Sequence, residues 1–195
     1  TRLRPDGRSG STIIPLDNFV AYQLKKAQLW EHQALVRARV IVGSKSLETT
    51  FNQLRRQVLC LPRKEKELQQ AVVSMRKKIS RENQRSANNR FDLKFGYGGL
   101  VDIEFMLQYL ILRWANKHPQ LVEVTESRAL IRALVETTIL NAIEGQLLDE
   151  ILDKYLRTEN LLKLQEKSTL IPKKQFVLER KWINQLWQRF LEHSE

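Results

Sequence analysis

The chain has 195 residues, 42% of them hydrophobic, with seven glycines and five prolines; this composition favours a folded, mostly helical protein and excludes a chain disordered throughout. The net charge of +11 attracts anionic partners, but bases and acids interleave along every segment, which favours solvated helix faces over a nucleic-acid surface. The longest apolar run, residues 100–114, contains acids and is too short to span a membrane, and the lone Cys60 fits a reducing cytoplasm.

The first residues predict a hairpin or two linked strands. Thr1–Arg4 and Ser11–Ile14 flank Pro5-Asp6-Gly7, where proline presets the turn and glycine accepts a positive φ. Two strands alone are marginal in water, and no other convincing strand run follows. We therefore expect them to belong to a sheet whose remainder precedes Thr1.

This turn is also the first candidate binding site. Arg2 and Arg4 alternate onto one strand face, while Gly7 and Gly10 expose backbone amides. Such a combination suits a phosphate group. A basic turn without a ligand is the alternative interpretation, and the spacing does not decide between the two.

Three helices are predicted in the next part of the chain, from apolar residues that recur at three- and four-residue steps. Their boundaries are predicted from N-capping residues at the starts and from glycine or proline at the ends. The predicted helices run from about Asp17 to Gly43, from about Ser46 to just before Pro62, and from about Lys64 with a stripe of Leu68, Val72, Met75 and Ile79.

A polar stretch, Asn83–Arg90, interrupts the pattern, with one alanine as its sole apolar residue. Such a segment is typical of a linker. The sequence therefore predicts two domains, 1–82 and 91–195. A truncation that starts near Phe91 is expected to keep most of the cooperativity of the second half.

The second half is predicted to be a bundle of antiparallel helices with short loops. Its first helix is almost wholly apolar and should be the buried centre. The predicted helices are at about Val101–Ala115, at about Glu126–Thr138, after a capping box of Asn141 and Glu144, and from near Pro172 with Phe176, Ile183, Trp187 and Phe190 buried. The predicted fold is mainly α, a helical bundle preceded by a short β segment.

Gly96–Gly99, ahead of the apolar helix, superficially suggests a phosphate-binding loop. The segment lacks the lysine and serine of a Walker loop and the spacing of a dinucleotide fingerprint. Close packing of backbone at the start of a helix is the favoured interpretation.

Two carboxylates, Asp102 and Glu104, begin the apolar helix. At 100° per residue Glu104 shares a face with Gln108, while Asp102 lies nearly opposite with Arg113, so the acids do not form one metal pair. A first-turn acid with a buried ion pair, or contact with substrate or a sister domain, both remain open. The three histidines have no ligand spacing and support neither a zinc site nor a catalytic triad.

Three ordered segments carry a resemblance to a known family. They are TRLRPDGRSG at Thr1–Gly10, WEHQALVRAR at Trp30–Arg39, and FDLK followed by GGLVDIEF at residues 91–94 and 98–105. They resemble successive signatures of glutamine-synthetase adenylyltransferase. The resemblance spans nearly the whole chain, and three long motifs in order make it specific.

The resemblance implies an enzyme with two homologous halves, one attaching AMP to a tyrosine of glutamine synthetase and one removing it by phosphorolysis. Trp30–Arg39 and the aspartate at Asp102 are similar to the attaching half, and the chain resembles the C-terminal part of that half. The implied fold is a polymerase-β-type nucleotidyltransferase domain followed by a helical bundle. The chain departs from the family pattern at Phe95–Tyr97 and at Thr125–Arg128, which puts any role of the second segment in doubt.

The family's metal-binding carboxylates lie before the TRLRP segment, so the resemblance places them upstream of Thr1 and no catalytic or metal-ligating residue within the chain. Mg²⁺ and ATP would bind the complete enzyme, and neither is expected on this stretch alone. Arg2, Arg4 and Gly10 would steady phosphates. Asp102 and Glu104 would have a structural role or contact substrate.

The implied partners are glutamine synthetase and the PII signal protein, in the cytoplasm, with no nucleic acid and no membrane. The chain alone is expected to transfer no AMP. The alternative hypothesis is a non-catalytic helical interaction module that binds PII or glutamine synthetase.

Overall fold

The computed structural model describes residues 13–83 and 89–192, and there the chain is mainly helical, which confirms the predicted fold class. Most of the hairpin predicted around Pro5 lies outside the described residues. A two-stranded antiparallel sheet occurs elsewhere, between β1 (Arg90–Asp92) and β2 (Leu170–Pro172). The helices are α1 (Leu16–Lys25), α2 (Leu29–Val36), α3 (Lys45–Leu59), α4 (Glu65–Glu82), α5 (Leu100–Trp114), a 3₁₀-helix (Pro119–Val122), α6 (Ser127–Glu136), α7 (Ala142–Leu164), α8 (Val177–Trp187) and a π-helix (Gln188–Glu192).

The first predicted helix is wrong in its continuity, because α1 ends at Lys25 and α2 begins at Leu29, and in its end, because α2 stops at Val36 and not at Gly43. The carboxylate of Glu31 accepts hydrogen bonds from the backbone amide of Gln28, at 2.8 Å, and from the hydroxyl of Tyr22, at 3.0 Å. The first of these bonds satisfies a backbone donor at the start of α2, and the second ties α2 to α1.

The predicted start of the last helix near Pro172 is also wrong. Pro172 ends β2, where its neighbour Ile171 pairs with Phe91 of β1. The helix α8 begins at Val177, after Phe176 in a left-handed conformation with φ 56°. Pairing with a distant strand thus determines where this helix starts.

Helix α5 is the centre of the bundle, as predicted, and eleven of its residues are buried. It packs against α2, α4, α6, α7 and α8. One hydrophobic cluster contains buried residues from both sides of the predicted linker, among them Leu35, Val72 and Leu110. The division into domains 1–82 and 91–195 stays a prediction. None of the helices in the described part has the length and apolar composition that a membrane-spanning helix needs.

An arginine of α3 joins distant backbone segments. The guanidinium of Arg55 is buried and donates to the carbonyl oxygens of Leu35, at 2.9 Å, and Val36, at 2.5 Å, at the end of α2. It also donates to the carbonyl oxygens of Val122 and, at 3.2 Å, Val124, beyond α5. One side chain therefore donates to four carbonyl groups, of which that of Leu35 also accepts from the backbone amide of Ala38 at 3.1 Å.

The end of α3 is held by Arg63, whose guanidinium donates to the carbonyl of Val58 at 2.7 Å and to that of Leu59 at 2.9 Å. Burial lowers the pKa of Arg63 to about 10. Its Nη2 also lies 3.4 Å from Nδ1 of His32, whose Nε2 lies 3.1 Å from the carbonyl oxygen of Gln23. His32 therefore accepts from Arg63 and donates to Gln23.

Candidate functional site

The loop between β1 and α5 contains the most characteristic motif of the sequence, and Asp92 initiates it. Its Oδ1 accepts hydrogen bonds from the amides of Lys94, at 2.9 Å, and Phe95, at 3.1 Å. It accepts a third from the hydroxyl of Thr169, at 2.8 Å, beside β2. The aspartate thus forms the turn and ties it to the small sheet.

Glycine is required in this loop for reasons of space and conformation. A Cβ on Gly96 would lie 2.5 Å from the carbonyl oxygen of Asp92. Gly98 has a φ of +80°, and a Cβ there would lie 2.6 Å from the carbonyl oxygen of Arg180. The loop therefore lets α8 approach the start of α5 at backbone contact distance.

The amides of these glycines are engaged inside the protein. The amide of Gly96 donates to the carbonyl of Asp92 at 2.8 Å, and that of Gly99 donates to the carbonyl of Gly96 at 3.0 Å. The amide of Gly98 donates to the carboxylate of Asp102 at 2.5 Å. This loop is therefore not a phosphate cradle, which supports the interpretation of close backbone packing.

Asp102 and Arg76 form a buried ion pair beneath the loop. Their exposed fractions are 2% and 1%, and Nε of Arg76 donates to Oδ1 of Asp102. Burial raises the pKa of Asp102, while the guanidinium of Arg76 and the amide of Gly98 oppose that rise. Nη2 of Arg76 donates to the carbonyls of Phe95, at 2.9 Å, and Gly96, at 3.3 Å.

Two further contacts fix the loop to neighbouring helices. The hydroxyl of Tyr155 on α7 donates to the carbonyl of Gly98 at 3.0 Å. The guanidinium of Arg76 on α4 lies 5.1 Å from the ring centroid of Tyr97. The junction therefore joins α4, α5, α7 and α8, and of the two roles considered for Asp102 the structure shows the buried ion pair.

Glu104 lies on another face of α5, as helical geometry predicts. Its Oε1 is 2.6 Å from Nη1 of Arg37, and both side chains are partly exposed, at 36% and 43%. Arg113, which was grouped with Asp102 by helical position, contacts Glu65 and the hydroxyl of Tyr109 instead. In the two described stretches no three His, Cys, Asp or Glu side chains are grouped as metal ligands.

The remaining candidate residues divide into two groups. Arg2, Arg4 and Gly10 lie outside the described residues, so their role stays a prediction. Within the divergent segment Thr125–Arg128, the last residue forms ion pairs with carboxylates of α7, one of them with Asp149 at 2.5 Å.

Sequence reasoning did not identify Arg76. A signal was present, since Arg76 follows Leu68 and Val72 at four-residue spacing and so lies on the buried stripe of α4. Met75 and Ile79, which were predicted on that stripe, are only half-buried. An arginine in an apolar stripe indicates a buried carboxylate partner.

The chain is similar to known proteins along nearly its whole length. A family model described as glutamate-ammonia ligase adenylyltransferase matches residues 1–54, and one described as GlnD PII-uridylyltransferase matches residues 73–170. A bifunctional glutamine synthetase adenylyltransferase/adenylyl-removing enzyme of Nitrosococcus oceani is 40% identical over 98% of the chain. Proteins of the same name from Thioalkalivibrio sulfidiphilus and Pasteurella multocida are each 36% identical over 100% of it.

The chain belongs to the glutamine synthetase adenylyltransferase family. It spans 20% of the length of each of these three relatives. The GGLVDIEF signature of the family coincides with the junction around Gly98 and Asp102. In this chain, therefore, the signature residues fix a loop against four helices.

Proposed function

We propose that the chain is the C-terminal part of the adenylyl-transferring half of a glutamine synthetase adenylyltransferase that acts in the cytoplasm. The similarity to relatives of that name over 98–100% of the chain carries this proposal. In the complete enzyme a tyrosine hydroxyl of glutamine synthetase attacks the α-phosphorus of ATP. A tyrosyl oxygen–phosphorus bond forms, the bond to the β-phosphate oxygen breaks, and pyrophosphate leaves.

Mg²⁺, which such transfers use, does not fit the described residues. Asp102 is engaged by Arg76 and by the amide of Gly98, and Glu104 is engaged by Arg37. A metal ion needs closely spaced carboxylates that are free to coordinate it. We therefore propose that the catalytic carboxylates and the metal lie beyond the described residues.

Within the proposed enzyme, Arg2, Arg4 and Gly10 would contact the phosphates of ATP. Bidentate contacts of arginine with phosphate suit this role. We expect Arg2→Ala or Arg4→Ala in the complete enzyme to raise the KM for ATP about tenfold, since a charged hydrogen bond contributes ~1.5–3 kcal/mol. Lys66→Ala, on an exposed part of α4, is the control.

The direct assay uses α-labelled ATP and unmodified glutamine synthetase. The complete enzyme should label the synthetase tyrosine, whereas the 195-residue chain alone should not. Label transferred by the chain alone would contradict the placement of the catalytic carboxylates elsewhere. Absence of label with the complete enzyme would contradict the proposed activity.

A second candidate function is a non-catalytic interaction module that binds PII or glutamine synthetase. The match of residues 73–170 to the model described as GlnD PII-uridylyltransferase favours it. A helical segment common to two different nucleotidyltransferases suits positioning of a protein better than transfer of one particular nucleotide. Titration of the chain with PII and with glutamine synthetase, in the absence of ATP, tests this candidate by binding alone.

A further inference from the structure

Three cavities adjoin one another around helix α8. One of about 460 Å³ shares Tyr97, Asn184 and Gln188 with a second of about 400 Å³. It shares Lys181 and Gln185 with a third of about 390 Å³. The concave surface is therefore continuous across both sides of α8, and we name it the α8 surface.

The polar part of the α8 surface is rich in positive charge. Lys77, Arg180 and Lys181 line it, and none of them forms an ion pair with a carboxylate in the described part of the chain. The guanidinium of Arg180 is already engaged, because it donates to the carbonyl oxygens of Lys173, at 2.6 Å, and Phe176, at 3.3 Å. The ammonium groups of Lys77 and Lys181 have no such partner among the described residues. Of the carboxylates there, Asp102 is buried against Arg76, and Glu192 accepts a hydrogen bond from the indole of Trp187. Positive charge therefore exceeds negative charge on this part of the surface.

Neutral amide side chains lie among these cations. Asn184, Gln185 and Gln188 line the polar cavities, and their side chains form no hydrogen bond with other described residues. Each amide presents two donors and an acceptor, which match the backbone groups of a peptide. This set of side chains suits an extended chain with acidic residues better than it suits an isolated anion.

The third cavity adds apolar area. Leu147, Leu178 and Trp182 line it, and Leu178 is 78% exposed. An exposed apolar side chain beside a groove with a polar part is typical of a surface that receives a protein segment. A small anion would not cover these apolar side chains.

We propose that the α8 surface binds an acidic protein segment that also carries apolar side chains. The acidic residues would pair with Lys77 and Lys181, and the apolar ones would cover Leu178 and Trp182. The assignment goes beyond the proposed function and does not depend on it, because it rests on the side chains of this surface alone.

The test measures binding of a fluorescein-labelled peptide of alternating glutamate and leucine to the full chain by fluorescence polarisation. The double variant Lys77→Glu/Lys181→Glu should weaken binding about tenfold, since charge reversal replaces attraction by repulsion on the rim of an interface. Lys66→Glu/Lys78→Glu is the control, because it makes the same change of net charge at exposed positions outside the cavities. Leu178→Ser should weaken binding, whereas Leu164→Ser, at an 83% exposed leucine of α7, should not.

Four results would overturn the proposal. They are no measurable binding of the acidic peptide, equal binding of a peptide with lysine in place of glutamate, an equal loss of affinity in the two lysine double variants, and equal binding by the Leu178 variant and the wild type. Two further probes test whether the surface binds another class of ligand. If glutarate, or vesicles of phosphatidylserine and phosphatidylcholine, bind with the same dependence on Lys77 and Lys181 while the peptide does not, the surface is a site for small anions or membranes instead.

Discussion

Arg76 and Asp102 differ from the other ion pairs of the described residues because both side chains are almost completely buried. The attraction within such a pair is offset by the cost of removing both charges from water. Loss of one partner leaves that cost uncompensated for the other. The effect of a substitution here should therefore greatly exceed that at an exposed pair.

We expect Arg76→Met to lower the free energy of unfolding by about 3–5 kcal/mol, because it leaves the Asp102 carboxylate buried with only the Gly98 amide as a donor. Urea unfolding measures the change. Arg37→Met, at the partly exposed pair with Glu104, is the control and should cost less than about 1 kcal/mol. Equal costs at the two arginines would show that the buried pair has no special role.

His32 gives the protein a pH dependence of stability. Burial lowers its pKa below the ordinary value of 6.5, against a smaller opposing effect of the Gln23 carbonyl. His32 therefore binds a proton in the unfolded chain at a pH where it does not in the folded protein. The stability that His32 contributes is present above pH 6.5 and is lost as the pH falls towards its folded pKa.

The free energy of unfolding should accordingly fall between pH 7 and pH 5, by up to ~1.4 kcal/mol per pH unit from this group. His32→Gln should reduce that slope, which urea unfolding at several pH values measures. His118→Gln is the control for loss of an imidazole. If both variants change the slope equally, the slope does not come from the buried histidine.

The sequence predicted the two faces of α5 but not the partners of its carboxylates. Asp102 and Glu104 separate by helical geometry alone, which any helix imposes. Arg76 is 26 residues from Asp102 along the chain, and Arg37 is 67 residues from Glu104. Those pairings depend on how helices pack, which local sequence does not specify.

At the scale of elements, the helix boundaries that the sequence predicted correctly are those fixed by residues close by in the chain. The capping box of α7 forms as predicted, with Asn141 and Glu144 exchanging backbone-to-side-chain hydrogen bonds of 3.0 and 2.9 Å. The start of α8 fails because Pro172 belongs to a strand whose partner, Arg90–Asp92, is far away in the sequence. The spacing of apolar residues within one segment does not reveal that the segment pairs with a distant strand.

Arg55 shows how one side chain joins elements. We expect Arg55→Leu to lower the free energy of unfolding by about 2–4 kcal/mol, because the carbonyls of Val36, Val122 and Val124 lose this donor. Unpaired buried carbonyls each cost ~1–3 kcal/mol, and some of them will find water. Arg56→Leu, at the neighbouring residue whose exposed side chain contacts Glu123, should cost less than about 1 kcal/mol. Thermal or urea unfolding distinguishes the two. A larger effect at Arg56 would contradict the role assigned to Arg55.

At the scale of the whole molecule, the polar stretch Asn83–Arg90 suggests two domains while the packing crosses it. Helices α2 and α4 contact α5, and the buried cluster includes residues from both sides. The ion pair of Arg76 with Asp102 also crosses this stretch. Contacts of this kind determine whether the second half is stable alone.

These contacts lead to the opposite of the expectation from the polar stretch alone. We expect a chain of residues 91–195 to unfold at a much lower temperature than the full chain, and with a broader transition. Without α2 and α4, the apolar surface of α5 is exposed to water and Asp102 loses Arg76. Calorimetry of the two chains measures the difference. A variant of 91–195 with Asp102→Asn is the control, because it removes the unpaired charge and leaves the loss of packing unchanged. If residues 91–195 show the same sharp transition as the full chain, they form an independent domain and the contacts across the polar stretch contribute little.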